Sequence, residues 1–169
     1  TRTDVTYKYD ATGRRNGKIT EVYENGQLAD SKTTEYIWYG DKVQYEEVTQ
    51  NRAVTPSVKM WGMTGLAARN DDLFSSDAHG NTDAEYSGET TVKKYAYDAY
   101  GNAINDNGDD DNPYRYCGES YDEETGLYYL RARYYDVKDG RFISEDPAKD
   151  GLNWYVYCGN NPVNFVDPS

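Results

Sequence analysis

Two aspartates near the end of the chain stand directly before prolines, Asp146 in ISEDP and Asp167 in NFVDPS. Two carboxylates held close together cannot both ionise cheaply and therefore share a proton. In that state one can activate a water while its protonated partner polarises a carbonyl. The same dipeptide is also turn punctuation, because proline drives the residue before it out of the α region. The dipeptides alone leave both readings open. Arg131 and Arg133, in LRARYY, are spaced to project from one face of a continuous strand. With tyrosines around them and acids in excess, their expected partners are carboxylates and aromatic faces.

Other candidate groups point to less. Cys117 and Cys158 both follow Tyr-x-Tyr and precede Gly, and the chain has one histidine. Two thiols without a CxxC spacing make a zinc site a poor fit, so no metal ligand is assigned. The thiols read as small residues on sheet positions, with a disulfide between the matching segments left open. The acidic run NDNGDDDNP at 105–113 fails a calcium-loop test. With Gly108 as the loop's sixth position, Ala103, Asn105 and Asn107 fall at the first, third and fifth, and Tyr114 at the twelfth. The motif requires acidic ligands at both ends, and the run reads as a solvated turn.

The elements that must hold these groups are strands. The chain of 169 residues carries a formal charge of -12, from 18 Lys plus Arg against 30 Asp plus Glu. A field of that sign repels phosphate backbones and anionic membranes, so no nucleic-acid partner is expected. No apolar stretch approaches the length of a spanning helix. Apolar residues reach 37%, yet 19 tyrosines far outnumber 3 Phe and 3 Trp. Each tyrosine supplies ring area but requires a partner for its hydroxyl, which suits thin, half-wet sheets better than a thick aliphatic core.

Along the chain one phrase recurs, as YKYDATG at 7–13, YAYDAYGN at 95–102 and YYDVKDG at 134–140, with variants YRYCGE and YVYCGNNP. Tyrosines two apart share a strand face, and Asp or Asn followed by Gly turns the chain. Residues 1–62 read as a β-meander with turns at Thr12-Gly13 and Asn25-Gly26. Residues 63–91 are less periodic and read as a long connection or irregular hairpin, with LAARNDDLF too short for a stable helix beyond a turn or two. The predicted fold is all-β, an irregular antiparallel meander of Tyr-rich repeats.

The stretch from YRYCGE through GLYYLRARYYD, GRFISEDP and GNNPVNFVDPS resembles the RHS repeat-associated core domain of bacterial Rhs and YD-repeat proteins. That group includes wall-associated proteins and toxin-complex C components. The resemblance covers about residues 113–169, and residues 1–112 look like the YD repeats preceding it. It implies a fragment of a spiral β-shell with its closing core, enclosing a C-terminal toxin. In many members the core is an intramolecular aspartic protease that cuts after Asp-Pro-x-Gly-Leu. By this resemblance the catalytic aspartates fall on Asp146 and Asp167, and the supporting arginine on Arg133, with Arg131 the structural alternative. Asp167, Pro168 and Ser169 supply the first three motif positions, so residues 1–169 alone carry no bond to cut.

Function is therefore expected to be that of a structural end-piece of a polymorphic-toxin shell. The alternatives are an active aspartic autoprotease in the full-length protein, and a secreted Tyr-rich surface for a glycan or protein. Exposed aromatic rows would favour the last, and packed rings the scaffold. No cofactor is implied. The expected partners are the upstream repeat shell and the C-terminal toxin cargo of the same polypeptide. Self-association through sheet edges that missing repeats would cover is a further expectation. TRTDVTYKYD shows no signal-peptide core and reads as strand from the middle of a longer chain. The resemblance places the parent protein as secreted or surface-associated, bacterial.

Overall fold

The computed structural model describes residues 1–105, 110–149 and 151–167, and it divides into compact units at residues 1–60 and 61–169. In the first unit β1 (Arg2–Tyr9), β2 (Arg15–Glu24), β3 (Gln27–Tyr39), β4 (Lys42–Gln50) and β5 (Ala53–Trp61) pair in sequence order, all antiparallel. This is the meander the alternation predicts. Asn25 and Gly26 turn β2 into β3 with φ of 50° and 80°. Two successive positive φ values match the twist of the flanking strands, and Asn-Gly reaches them at least cost. The buried face of this sheet is polar. Arg15, Lys18, Thr20, Thr34, Glu46, Ser57 and Lys59 are all buried. Arg15 lies between the rings of Tyr7 and Tyr36, 5.2 Å from each centroid. Ser57 is the register partner of Glu46, and Lys59, two residues on, shares its face. The Lys59 ammonium reaches Glu46 at 3.1 Å and Ser57 at 3.3 Å.

In the second unit β6 (Leu66–Arg69), β7 (Asp72–Ser76), β8 (Thr82–Ser87) and β9 (Thr90–Lys94) form successive antiparallel pairs. Residues 63–91 are thus irregular hairpins, with register shifts at Ser75/Ser76 and Glu85/Tyr86, and LAARNDDLF is a strand, a turn and a strand. Asn70 takes the turn with φ of 52°. The β7–β8 turn is a further copy of the repeat, Asp77-Ala-His-Gly-Asn81. Asp77 Oδ1 accepts the His79 and Asn81 amides at 2.9 and 3.0 Å, and Oδ2 accepts the Asn81 side chain at 2.9 Å. Asp98 repeats this with Tyr100 and Asn102 at 2.9, 3.0 and 2.8 Å. Burial works against the Asp98 charge, but these donors outweigh it and hold its carboxyl below the ordinary value.

A second sheet follows, with β10 (Ser120–Asp122), β11 (Leu127–Leu130), β12 (Arg133–Asp136) and β13 (Arg141–Phe142) in sequence order. Its core is Tyr116, Tyr128, Leu130, Tyr135, Val137, Phe142 and Tyr157. The Tyr135 and Tyr157 rings stack with centroids 4.2 Å apart, and Phe142 meets both edge-on. The Asp98 turn supplies hydroxyl acceptors to this core. Tyr135 donates to the Tyr100 carbonyl at 2.7 Å and Tyr116 to Ala99 at 2.8 Å, while Asn102 donates to Val137 at 3.0 Å. The Asp77 turn docks similarly, with Asn81 Oδ1 accepting the Cys117 amide at 2.9 Å.

Gly101 sits in the Asp98 turn at φ of 93°, and a Cβ there would lie 2.7 Å from the Tyr116 ring. Gly101→Ala is expected to destabilise the protein by about 3 kcal/mol, from backbone strain and displacement of a core ring. Urea denaturation checks it, and an unchanged midpoint would remove the docking role of the turn.

Burial also raises the acid groups of this core. It pushes up Tyr95, Tyr97, Tyr116, Tyr128, Tyr135 and Tyr157, and takes the Cys117 thiol up to about 12. Folded values above unfolded ones mean stability complete below the unfolded pKa and lost as pH rises. For Cys117 the window runs from its ordinary 9.0 to about 12. Urea midpoints are expected to hold up to that lower bound and fall across the window, less steeply in Cys117→Ser.

Candidate functional site

Arg133 opens β12 and shares a face with Tyr135, whose register partner is Phe142. That places the guanidinium against the Phe142 ring, with its carbon 3.6 Å from the centroid. Nη2 donates to Asp167 Oδ2 at 3.3 Å, and Nη1 donates to the Trp154 carbonyl at 3.3 Å. The two side chains are 9% and 11% exposed, so water screens the pair little. The same Trp154 carbonyl accepts the backbone N–H of Asp146 at 2.9 Å. Trp154, which sequence reasoning passed over, thus joins the segments bearing Arg133 and Asp146. Its part is played by a backbone carbonyl, for which side-chain identity gives no signal.

Asp146 is half-buried, and its Oδ1 accepts the Ala148 amide at 2.9 Å. This is the local turn bond made by the repeat aspartates Asp77 and Asp98. Asp146 therefore contacts its own turn and Trp154, while Asp167 meets Arg133. Pro168 and Ser169 of the Asp-Pro-x segment lie outside the described residues.

Arg131 corrects the sequence expectation. It does not continue a strand with Arg133. Leu130 pairs with Arg133 across a two-residue turn, and Arg131 occupies that turn at φ of 56°. Its guanidinium Nη1 contacts both oxygens of Glu119 at 2.9 Å. A carboxylate partner is present as expected, but in a different place from that of Arg133. Cys117 and Cys158 are free thiols in matching 3-10 turns, Tyr116–Gly118 and Cys158–Asn160. The Tyr157 hydroxyl lies 3.8 Å from the Cys117 sulfur. Burial, with the nearby Asp167 carboxylate adding to it, raises the Cys158 thiol.

No known family profile matches the chain. WapA of Bacillus spizizenii, described as a tRNA3(Ser)-specific nuclease, is 39% identical over 188 residues, covering 97% of this chain and 7% of its own length. WapA of Bacillus subtilis strain 168, described as a tRNA nuclease, is 39% identical over 186 residues, with the same coverage of each. A crystal structure of TcdB2-TccC3 without its hypervariable C-terminal region superposes with a TM-score of 0.78 at 25% identity, covering 97% of this chain and 9% of that one. The chain belongs to the Rhs/YD-repeat family. It spans less than a tenth of the length of these relatives, so it corresponds to one segment of much longer proteins.

This Rhs segment also corrects the reading of its acidic run. Asn107 and Gly108 of the calcium-loop comparison lie outside the described residues. Asp110 and Asn112 are buried instead of solvated, at 8% and 0% exposure. Glu85, Asp110 and Asp111 bring carboxylate oxygens within 4.8 Å of one another. Lys93 stands among them, 3.0 Å from Asp110, 3.4 Å from Asp111 and 3.6 Å from Glu85. Arg69 pairs with Asp111 and Glu85, and Arg115 with Asp110. Among the described residues these three acids thus meet three cations, and Arg69 also reaches Asp72 at 4.0 Å. Burial works against the Lys93 charge, but Asp110, Glu85 and Asp111 outweigh it and raise its pKa. Lys93→Met would leave two buried carboxylates short of a partner. The expected loss is about 3 kcal/mol, read from urea denaturation.

Proposed function

We propose that this chain is the C-terminal core of an Rhs/YD-repeat toxin shell, closing the repeat sheet over cargo carried by the same polypeptide. The observation that carries this reading is the repeat turn used as a docking plug. Asp98–Asn102 belongs to the repeat series, yet its carbonyls and Asn102 side chain cap the tyrosines of the closing core. Repeat and closure are therefore one packed structure, as a shell end requires. Buried rings favour a scaffold over a Tyr-rich binding surface. Tyr95, Tyr114, Tyr116, Tyr128, Tyr129, Tyr135 and Tyr157 are all buried. Among the described residues no helix is long and apolar enough to cross a membrane. We place the parent protein outside the bacterial cytoplasm, secreted or at the cell surface.

A second reading is favoured by the Arg133–Asp167 pair, in which the core also cleaves its own chain beyond Asp167. In the proposed reaction Asp146 and Asp167 share one proton. The ionised carboxylate takes a proton from water as the water oxygen attacks the scissile carbonyl, and the protonated carboxyl donates to the carbonyl oxygen. On collapse the C–N bond breaks, the carboxyl protonated in the first step gives its proton to the leaving nitrogen, and the other carboxylate recovers its proton from a hydroxyl of the intermediate. Arg133 orients Asp167 by a charge-assisted hydrogen bond. A protein extended through its native sequence past the Gly-Leu is expected to split once, on the C-terminal side. Asp146→Asn and Asp167→Asn should each slow this by about 100-fold or more. Gel and mass analysis of purified, folded protein reads the outcome. An intact wild-type chain would reject the protease reading and leave the structural one standing.

A further inference from the structure

Phe142 is an aromatic wall whose position is fixed before Arg133 is considered. It is fully buried, with Tyr135 and Tyr157 edge-on at 5.9 and 5.8 Å. Its backbone N–H donates to the Tyr155 carbonyl at 2.9 Å, and the next N–H, of Ile143, donates to Tyr134 at 3.0 Å. The ring is therefore packed against the tyrosine core, and the backbone that carries it is held on both sides by hydrogen bonds. Arg133 rests on the remaining face at 3.6 Å, against 4.8 Å for Arg2 over Tyr23 and 5.6 Å for Arg69 over Phe74.

The hydrogen bonds of Arg133 do not fix the guanidinium by themselves. Its bonds to Asp167 and Trp154 are both 3.3 Å, at the long end for charge-assisted pairs. Its buried Nε has no acceptor among the described residues. A guanidinium secured through its edge would use that donor, because five N–H groups lie in one plane. With its carbon over the Phe142 ring, 3.6 Å from the centroid, the fork turns Nη2 toward Asp167 and Nη1 toward Trp154, the carbonyl that also receives the Asp146 N–H.

We propose that Phe142 is a positioning residue that acts through Arg133, setting the guanidinium plane that holds Asp167. Its consequence for cleavage rests on the autoproteolytic reading above; its consequence for Arg133 does not. In the extended protein Phe142→Leu, which removes the ring face but keeps an apolar side chain, is expected to slow cleavage about 10-fold. Phe142→Tyr, which keeps the face, should stay within about 3-fold of wild type. In an Arg133→Lys background, where no planar fork remains, Phe142→Leu should cost nothing further. Additive losses in the double variant would show a general packing role and overturn the proposal, as would wild-type cleavage in Phe142→Leu.

Arginine side-chain NMR on the 169-residue protein supplies the arm that needs no cleavage. Arg133 is expected to show separate, slowly exchanging Nη signals in the wild type and averaged signals in Phe142→Leu. Slow exchange surviving the substitution would overturn the proposal. If the extended wild type stays intact, the protease reading fails, and the NMR comparison alone decides whether Phe142 sets the plane of Arg133.

Discussion

A tyrosine ring is cheap to bury and its hydroxyl is not. An unpaired buried hydroxyl costs as much as a good packing contact returns, so a core made of tyrosine needs an acceptor for nearly every ring. Turns meet this need because their carbonyls are not all consumed by sheet pairing. Ala99 and Tyr100 sit in the Asp98 turn, and their oxygens take the hydroxyl protons of Tyr116 and Tyr135. Tyr128 is served from another turn, its hydroxyl oxygen accepting the Tyr116 amide at 3.3 Å. The Asp98 phrase thus gives more than a reversal of direction. Its aspartate fixes the loop, its glycine admits the positive φ, and its carbonyls leave pointing at the next layer.

Charge inside the molecule follows the same rule of local satisfaction. The chain is strongly acidic, but where acids are buried the cations are buried with them. Lys59 meets Glu46 in the first unit, while Lys93, Arg69 and Arg115 meet Glu85, Asp110 and Asp111 in the second. Removing one partner from such a group is costly, because the charge left behind stays out of water. Arg133 and Asp167 belong to this class by burial. They differ in the shared Trp154 carbonyl and in the guanidinium donor left unused.

Much of this was readable from residue order, and the misses have physical causes. Asn25-Gly26 declared its hairpin because few dipeptides tolerate two positive φ values in succession. The repeat at Asp77 escaped because Phe74-Ser75-Ser76 replaces Tyr-x-Tyr ahead of it, although the turn chemistry of Asp77-Ala-His-Gly-Asn81 was intact. Arg131 was misplaced because a two-residue turn broke the alternation, and arginine at φ of 56° carries no turn signal. The burial of Asp110 was hidden because its partners, Lys93 and Arg115, lie far away or across a turn. The motif-borne residues Asp146, Asp167 and Arg133 were nameable in advance. Phe142 and the Trp154 carbonyl became visible only once β12, β13 and the segment after Gly151 were placed side by side.

The two aspartates are held by different means, and that asymmetry bears on their proposed chemistry. Asp146 is a turn aspartate of the repeat type, with Oδ1 committed to the Ala148 amide as Asp98 Oδ1 is to Tyr100. Asp167 has its Oδ2 on a guanidinium whose carbon lies 3.6 Å from an aromatic centroid. A backbone amide supplies a neutral dipole, while an arginine supplies a full positive charge, so the two carboxylates face unequal fields. Inequality of that kind is what lets a carboxylate pair divide one proton instead of contesting it. In the proposed reaction Arg133 orients Asp167, and the ring of Phe142 acts on that carboxylate through Arg133.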